Sequence, residues 1–227
     1  MKILGIGLAA IIITLAIAVL GQNNNLTKKP GQSILSRKIT LPESRNIEST
    51  LLFQMALSNA KIPGGIVTVN CGNPSKQSFV ASETTSLELF LINLELTDVH
   101  HKWQLNDGVL NLLPKQELPK LLETPIEKFS VQEVTAQEAL NLLQEKSEVK
   151  RKKIELGLDK ASISINKASA LNLESEQNSD VTFSLNLKGV TYRQILNEIV
   201  KAQGRMTWIY TEKHCGNVNM FSVILVE

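Results

Sequence analysis

Thr191-Tyr192-Arg193-Gln194-Ile195-Leu196-Asn197-Glu198-Ile199 can be laid without a gap on Ser86-Leu87-Glu88-Leu89-Phe90-Leu91-Ile92-Asn93-Leu94, at an offset of 105 residues. The matched apolar pairs are Leu87/Tyr192, Phe90/Ile195, Leu91/Leu196 and Leu94/Ile199. They recur at i, i+3, i+4 and i+7, the spacing of one face of an amphipathic helix. Ser86 and Thr191 stand where an N-cap or first-turn residue belongs, and Glu88 favours the positive end of the helix dipole. The same offset places Trp103 on Trp208, the only two Trp of the chain. Around them His101-Trp103-Leu105 and Met206-Trp208-Tyr210 alternate as strands with one face inward.

The repeat extends in both directions. Each copy ends in a further strand, Val109 to Leu113 or Phe221 to Val226, reached through Asn106-Asp107-Gly108 in the first copy and the longer Thr211 to Asn219 in the second. Asp-Gly supplies the positive backbone angles of a tight hairpin turn. Upstream, Val181 to Leu187 alternates cleanly, with Ser78 to Ser82 as its weaker counterpart. An earlier helix repeats at an offset of 88, Leu51, Leu52 and Met55 falling on Ala139, Leu140 and Leu143. It is followed by Gly65 to Val69 in one copy and Ile154-Glu155-Leu156 in the other, both read as strands. The 17-residue difference between the offsets locates an insertion within Asp159 to Asp180.

The predicted architecture is therefore α+β, two tandem small modules of the order helix, strand, strand, helix, strand, strand. The first spans 47–114 and the second 126–227 with its insertion near 159–180. A Pro-containing linker, 115–125, separates them, since Pro114, Pro119 and Pro125 interrupt regular structure.

Ahead of the modules, 16 of the first 21 residues are apolar and only Lys2 is charged. This is the layout of an export signal. Ile3 to Gly21 is also 19 residues, about 28 Å as a helix, close to the ~30 Å of a bilayer core. Cleaved signal peptide and retained membrane anchor both fit, and both put the rest of the chain in a periplasmic or extracellular setting. Residues 22–46, rich in Asn, Ser, Pro and Lys, read as a polar linker with one short strand at Ser36 to Leu41.

With the leader set aside, the remaining 206 residues carry a net charge of +1. That excludes a polytopic membrane protein and a strongly basic nucleic-acid binder, and 10 aromatic residues in 227 are too few for a single-strand stacking platform.

Leu185-Asn186-Leu187-Lys188-Gly189-Val190-Thr191-Tyr192-Arg193-Gln194-Ile195-Leu196 joins a strand through a Gly-Val-Thr entry to a Leu-rich helix, and an aromatic-bearing hairpin closes the unit. Thr85-Ser86-Leu87-Glu88-Leu89-Phe90-Leu91, with Trp103 to Pro114, repeats the plan without the Gly entry. This arrangement resembles the secretin and TonB-receptor short N-terminal (STN) domain, over about residues 47–114 and 126–227. The resemblance implies small non-enzymatic modules outside the inner membrane that bind other proteins, here another envelope protein, with no cofactor.

Few residues suggest chemistry. Outside the cytoplasm Cys71 and Cys215 could form a disulfide between the two copies, closing a loop worth about 3–5 kcal/mol; two separate thiols are the other reading. His100 and His101 are neighbours on a strand and point to opposite faces, so they cannot readily grip one ion. A site between the repeats holding His100, His101 and His214 would instead mark a ligand-binding protein or hydrolase. Lys150-Arg151-Lys152-Lys153 is the one dense basic run. It could contact an anionic partner or membrane surface, or it could keep an exposed strand edge at Ile154 to Leu156 soluble. No phosphate-cradling glycine loop, G-x-S-x-G or H-E-x-x-H occurs.

Overall fold

The computed structural model describes residues 34–41, 44–69, 76–79, 84–158, 181–215 and 218–227. Its strands are β1 (Lys38–Ile39), β2 (Ser44–Glu48), β3 (Gly64–Thr68), β4 (Lys76–Phe79), β5 (Thr85–Ser86), β6 (His101–Asn106), β7 (Val109–Pro114), β8 (Pro125–Val134), β9 (Phe183–Thr191), β10 (Thr207–Cys215) and β11 (Val218–Val226). The helices are α1 (Ser49–Ala60), α2 (Leu87–Thr97), α3 (Ala136–Gln144), α4 (Ser147–Glu155) and α5 (Tyr192–Gln203). The class is α+β. The leader, residues 22–33, Cys71 and the expected insertion at 159–180 lie outside the described residues.

Local chemistry accounts for the helix starts. Thr191 accepts the Gln194 N–H at 3.3 Å while Gln194 accepts the Thr191 N–H at 2.7 Å, a reciprocal capping box, and Thr135 with Glu138 forms a second. Ser86 caps α2 by accepting the Leu89 N–H at 3.2 Å. Gly204 closes α5 in the left-handed region, at φ 87°.

Five strands form one sheet in the order β11-β10-β3-β7-β6, with β3 parallel to both its neighbours and the two outer pairs antiparallel. β3 is thus hydrogen-bonded on one side by the hairpin β6–β7 and on the other by the hairpin β10–β11. Both faces of the sheet are covered. Ile66 of β3, with Leu110 and Leu112 of β7, joins the core beneath α1 and α2, which includes Leu52, Phe53, Leu57, Leu87, Phe90 and Leu91. Val67, Val109 and Leu113 point the other way, into the core of α3 and α5, with Trp208, Tyr210, Ile195, Leu196 and Ile199. Strands buried on both faces read as near-continuous apolar runs, and every residue of β7 is buried. A separate ladder, β8–β9, adds Ile126, Phe129 and Val131 to the second core.

The register puts Trp208 opposite Gly65, and Gly65 opposite Asn111. The indole lies over the missing side chain: a Cβ on Gly65 would fall 2.2 Å from two indole carbons. Its Nε1 donates to Asn197 Oδ1 of α5 at 2.8 Å, both groups buried.

Two expectations are corrected. Ile154 and Glu155 are no strand but the end of α4, with Leu156 as its C-cap, which leaves one β3-like strand for the two hairpins among the described residues. The order helix, strand, strand, helix, strand, strand therefore fails in the second half, which runs α3, α4, β9, α5, β10, β11; the first half follows it apart from the two-residue β5. Each helix pair is also preceded by a strand, β2 or β8, that alternation alone does not signal. Residues 115–124 hold no helix or strand and pack against the second half: Leu121 and Leu122 are fully buried, and the Leu122 and Thr124 carbonyls accept from Arg193 and Tyr192. Finally, the later part of the polar linker is built into the first core through Ile39 and Leu41.

Candidate binding edge

β11 forms one rim of the sheet. Its sequence, Val-Asn-Met-Phe-Ser-Val-Ile-Leu-Val, holds no charge and no proline, and it pairs with β10 over nine consecutive residues without a bulge, from Thr207↔Val226 to Cys215↔Val218. At ~3.4 Å per residue this is an edge about 30 Å long. Among the described residues no strand pairs with its outer side, so alternate N–H and C=O groups there face outward. The opposite rim is protected in the ordinary way, because β6 has six residues and carries the exposed Lys102.

Only Thr207–Thr211 of β10 pair with β3, so the far half of the hairpin extends beyond the sheet. Its root is clamped. Phe221 is buried and meets Tyr210 edge-to-face at 5.7 Å between ring centroids, and the Lys153 ammonium lies 5.0 Å from the Phe221 ring centre. Burial pushes the Lys153 ammonium below the ordinary lysine range. The Tyr210 hydroxyl donates to Glu212 Oε2, while His214 Nε2 lies 3.2 Å from Glu212 Oε1. Burial pushes the Tyr210 phenol up, and the neighbouring Glu212 carboxylate adds to that shift.

The basic run therefore sits on helix α4, with Lys153 turned toward β11. Lys150 pairs with Glu145 at 2.5 Å, Lys152 pairs with Glu155 at 2.6 Å, and Lys153 donates to Gln144 at 3.2 Å. Arg151 and Lys152 line a cleft of about 350 Å³ with Lys120, Glu123, Glu148 and Glu155. Three cations there face three carboxylates, so the cleft carries no net charge to attract an anion. The carboxyls of Glu145 and Glu155 are held below their usual range by the lysines that hydrogen-bond them.

The other candidates do not converge. His101 opens β6 with His100 just before it, whereas His214 lies on β10, with β7 and β3 in between. The spacing of three strands, about 14 Å, is too wide for a common ion. His101 instead sets Nδ1 2.9 Å from Asp98 Oδ2. Asp98 Oδ1 accepts from the His100 and His101 N–H groups, at 2.7 and 3.1 Å, fixing the turn from α2 into β6. Burial raises the Asp98 carboxyl, but hydrogen bonds from the His101 ring and the His100 N–H outweigh it and hold the pKa at about 2. Among the described residues no three His, Cys, Asp or Glu are grouped to hold a metal. Cys215 ends β10 opposite Val218; Cys71, its expected partner, is outside the described residues. Trp103 and Trp208 serve opposite cores, so they form no common stacking surface.

Sequence periodicity located β11 but not its edge position, which depends on the order of strands. The absence of charge and proline through 218–226 is the signal that could have marked it. In comparison with family models, curated proteins and solved structures, nothing matches the chain.

Proposed function

We propose that this chain is an exported envelope protein, a non-enzymatic interaction or assembly component made of two divergent STN-like modules, and that it accepts an extended segment of another envelope protein along β11. The observation that carries the reading is the uncharged, unbulged, nine-residue edge. Strand addition to such an edge gains affinity from main-chain hydrogen bonds and specificity from alternate side chains. Proteins that do not use an edge this long ordinarily blunt it with lysine, proline or a bulge.

The tandem reading is supported by the order of elements. β2 pairs β4 as β8 pairs β9, a capped helix follows in each half, and each half closes with an antiparallel hairpin. In the second half α4 occupies the place that β3 has in the first. For the alternative of a ligand-binding protein or hydrolase with a site between the repeats, the strand order keeps His100 and His101 apart from His214, so these three do not supply that site.

Hydrogen exchange on the full chain, alone and with the envelope protein that co-purifies with it, tests the proposal. Alternate amides of β11 should gain at least about tenfold protection, about 1.4 kcal/mol, with β6 unchanged. Ile224→Lys, which places a charge in the edge strand, should abolish the protection without unfolding the chain. Protection confined to β6 or to the α4 cleft, or capture of a small metabolite instead of a protein, would overturn the reading.

A further inference from the structure

The face opposite α3 and α5 carries an apolar surface that strand addition does not use. On α2 the buried residues Leu87, Phe90, Leu91 and Leu94 line one side. At 100° per residue, Leu89, Ile92 and Leu96 line the side directly opposite, and Val99 follows just past the helix end. Leu96 and Val99 are 78% and 71% exposed, Leu89 and Ile92 52% and 44%, and Leu51 of the adjoining α1 is 38% exposed. Apolar stripes on two opposite sides of one helix leave the outer stripe uncovered by the core. Glu88 and Glu95 flank the stripe on one side and Asn93 and Thr97 on the other, so no charge interrupts it.

The path of the chain indicates what covers it. The first described residues, Ile34 and Leu35, pack against the core of α1 and α2. The Arg37 carbonyl then accepts the Leu87 N–H, the first of α2, at 2.8 Å, and its guanidinium donates to the Ala60 and Lys61 carbonyls that end α1, at 2.7 and 3.0 Å. The chain therefore enters beside the start of the stripe. Twelve residues, 22–33, separate this entry from the apolar run Ile3 to Gly21, a reach of at most about 42 Å. Arg37, Lys38 and Lys61 are exposed at the entry, a cationic collar suited to anionic headgroups.

From this juxtaposition we infer that the α1–α2 face lies on the bilayer surface, Leu89, Ile92, Leu96 and Val99 entering the boundary between headgroups and acyl chains. The inference rests on the envelope reading in its anchored form, with residues 3–21 as the span. Such a helix binds by its buried apolar area, with basic residues adding attraction to anionic lipid. It would leave β11, at the far end of the sheet, and the α3–α5 side free for a partner.

The test is the full chain reconstituted in vesicles of phosphatidylglycerol and chain-brominated phosphatidylcholine. A tryptophan is introduced by Leu96→Trp or Leu89→Trp on the stripe, and by Ile154→Trp as a control on the exposed part of α4. Flotation with the vesicles reports the span. Bromine should quench the added emission of both stripe variants at least about twofold more than that of the control, since contact with acyl chains is short-ranged. Flotation with equal quenching at all three positions, or with none on the stripe, would overturn the placement alone. Failure to float would overturn the anchored reading and the placement with it.

Discussion

Replacing Gly65 with alanine tests the central packing of the sheet. The added Cβ would fall 2.2 Å from two carbons of the Trp208 indole and 2.5 Å from Asn111 Oδ1, where ordinary contact begins at 3.4 Å. The ring would have to retreat by about 1.2 Å. It is fully buried, and its Nε1 is held at 2.8 Å by Asn197 Oδ1, so a retreat of that size strains or breaks the bond. Overpacking costs about 1–3 kcal/mol, and an unsatisfied buried donor and acceptor cost about 1–3 kcal/mol more. The expected loss is about 2–6 kcal/mol, a large part of the ~5–15 kcal/mol that stabilises a typical domain. Urea unfolding followed by tryptophan fluorescence and by far-UV circular dichroism measures it. Trp208→Phe supplies the control: in that background Gly65→Ala should cost less than about 1 kcal/mol, leaving a coupling energy above about 1 kcal/mol in the double-mutant cycle. Strict additivity, or a Gly65→Ala midpoint equal to that of the parent, would refute the argument.

Three further outcomes follow from the same geometry. The Asp98 carboxyl titrates near 2 in the folded chain against a reference of 3.8, so its stabilisation, about 2 kcal/mol, is complete above pH 4 and is lost as pH falls toward 2; urea midpoints from pH 5 to 2 should show this slope, and Asp98→Asn should flatten it. Thr191→Ala removes the capping box of α5 and should cost about 1 kcal/mol, measured by thermal unfolding, with Thr191→Ser restoring most of it. A fragment of residues 115–227 should bind a hydrophobic dye and unfold without a cooperative transition, because its core lacks Val67, Val109 and Leu113; a cooperative, dye-free fragment would show that the second half needs nothing from the first.

Much of this fold is legible in the sequence where period and cap coincide. α2 and α5 are located by their i, i+3, i+4 pattern and by Ser86 and Thr191. β7 and β11 are located by apolar runs and the Asp107-Gly108 turn. What fails is instructive. Ile154-Glu155-Leu156 alternates for three residues only, and α4 wins there because Ser147 to Lys153 is a helix start with Glu148 in the first turn and lysines in the last. β8 is obscured because its buried residues, Ile126, Phe129 and Val131, do not keep a period of two, and because a bulge near Glu133, a residue at φ 51°, ends the regular pairing after Val131. The candidate edge was half visible: composition distinguishes 218–226, but which strand is outermost is a property of long-range pairing. The basic run stands out by charge in the sequence, yet Lys150 and Lys152 are paired with Glu145 and Glu155, and Lys153 is turned to Phe221.

The double use of β3 also bears on the order in which the molecule can be completed. Gly64 meets Thr207, about 140 positions later in the chain, and contacts so remote in sequence form slowly because a long loop must close first. A chain delivered from its N-terminus would present β3 paired on the β7 side alone until the last hairpin arrives. For that interval the unfilled side of β3 is a second unpaired edge, of the same kind that the finished sheet keeps at β11.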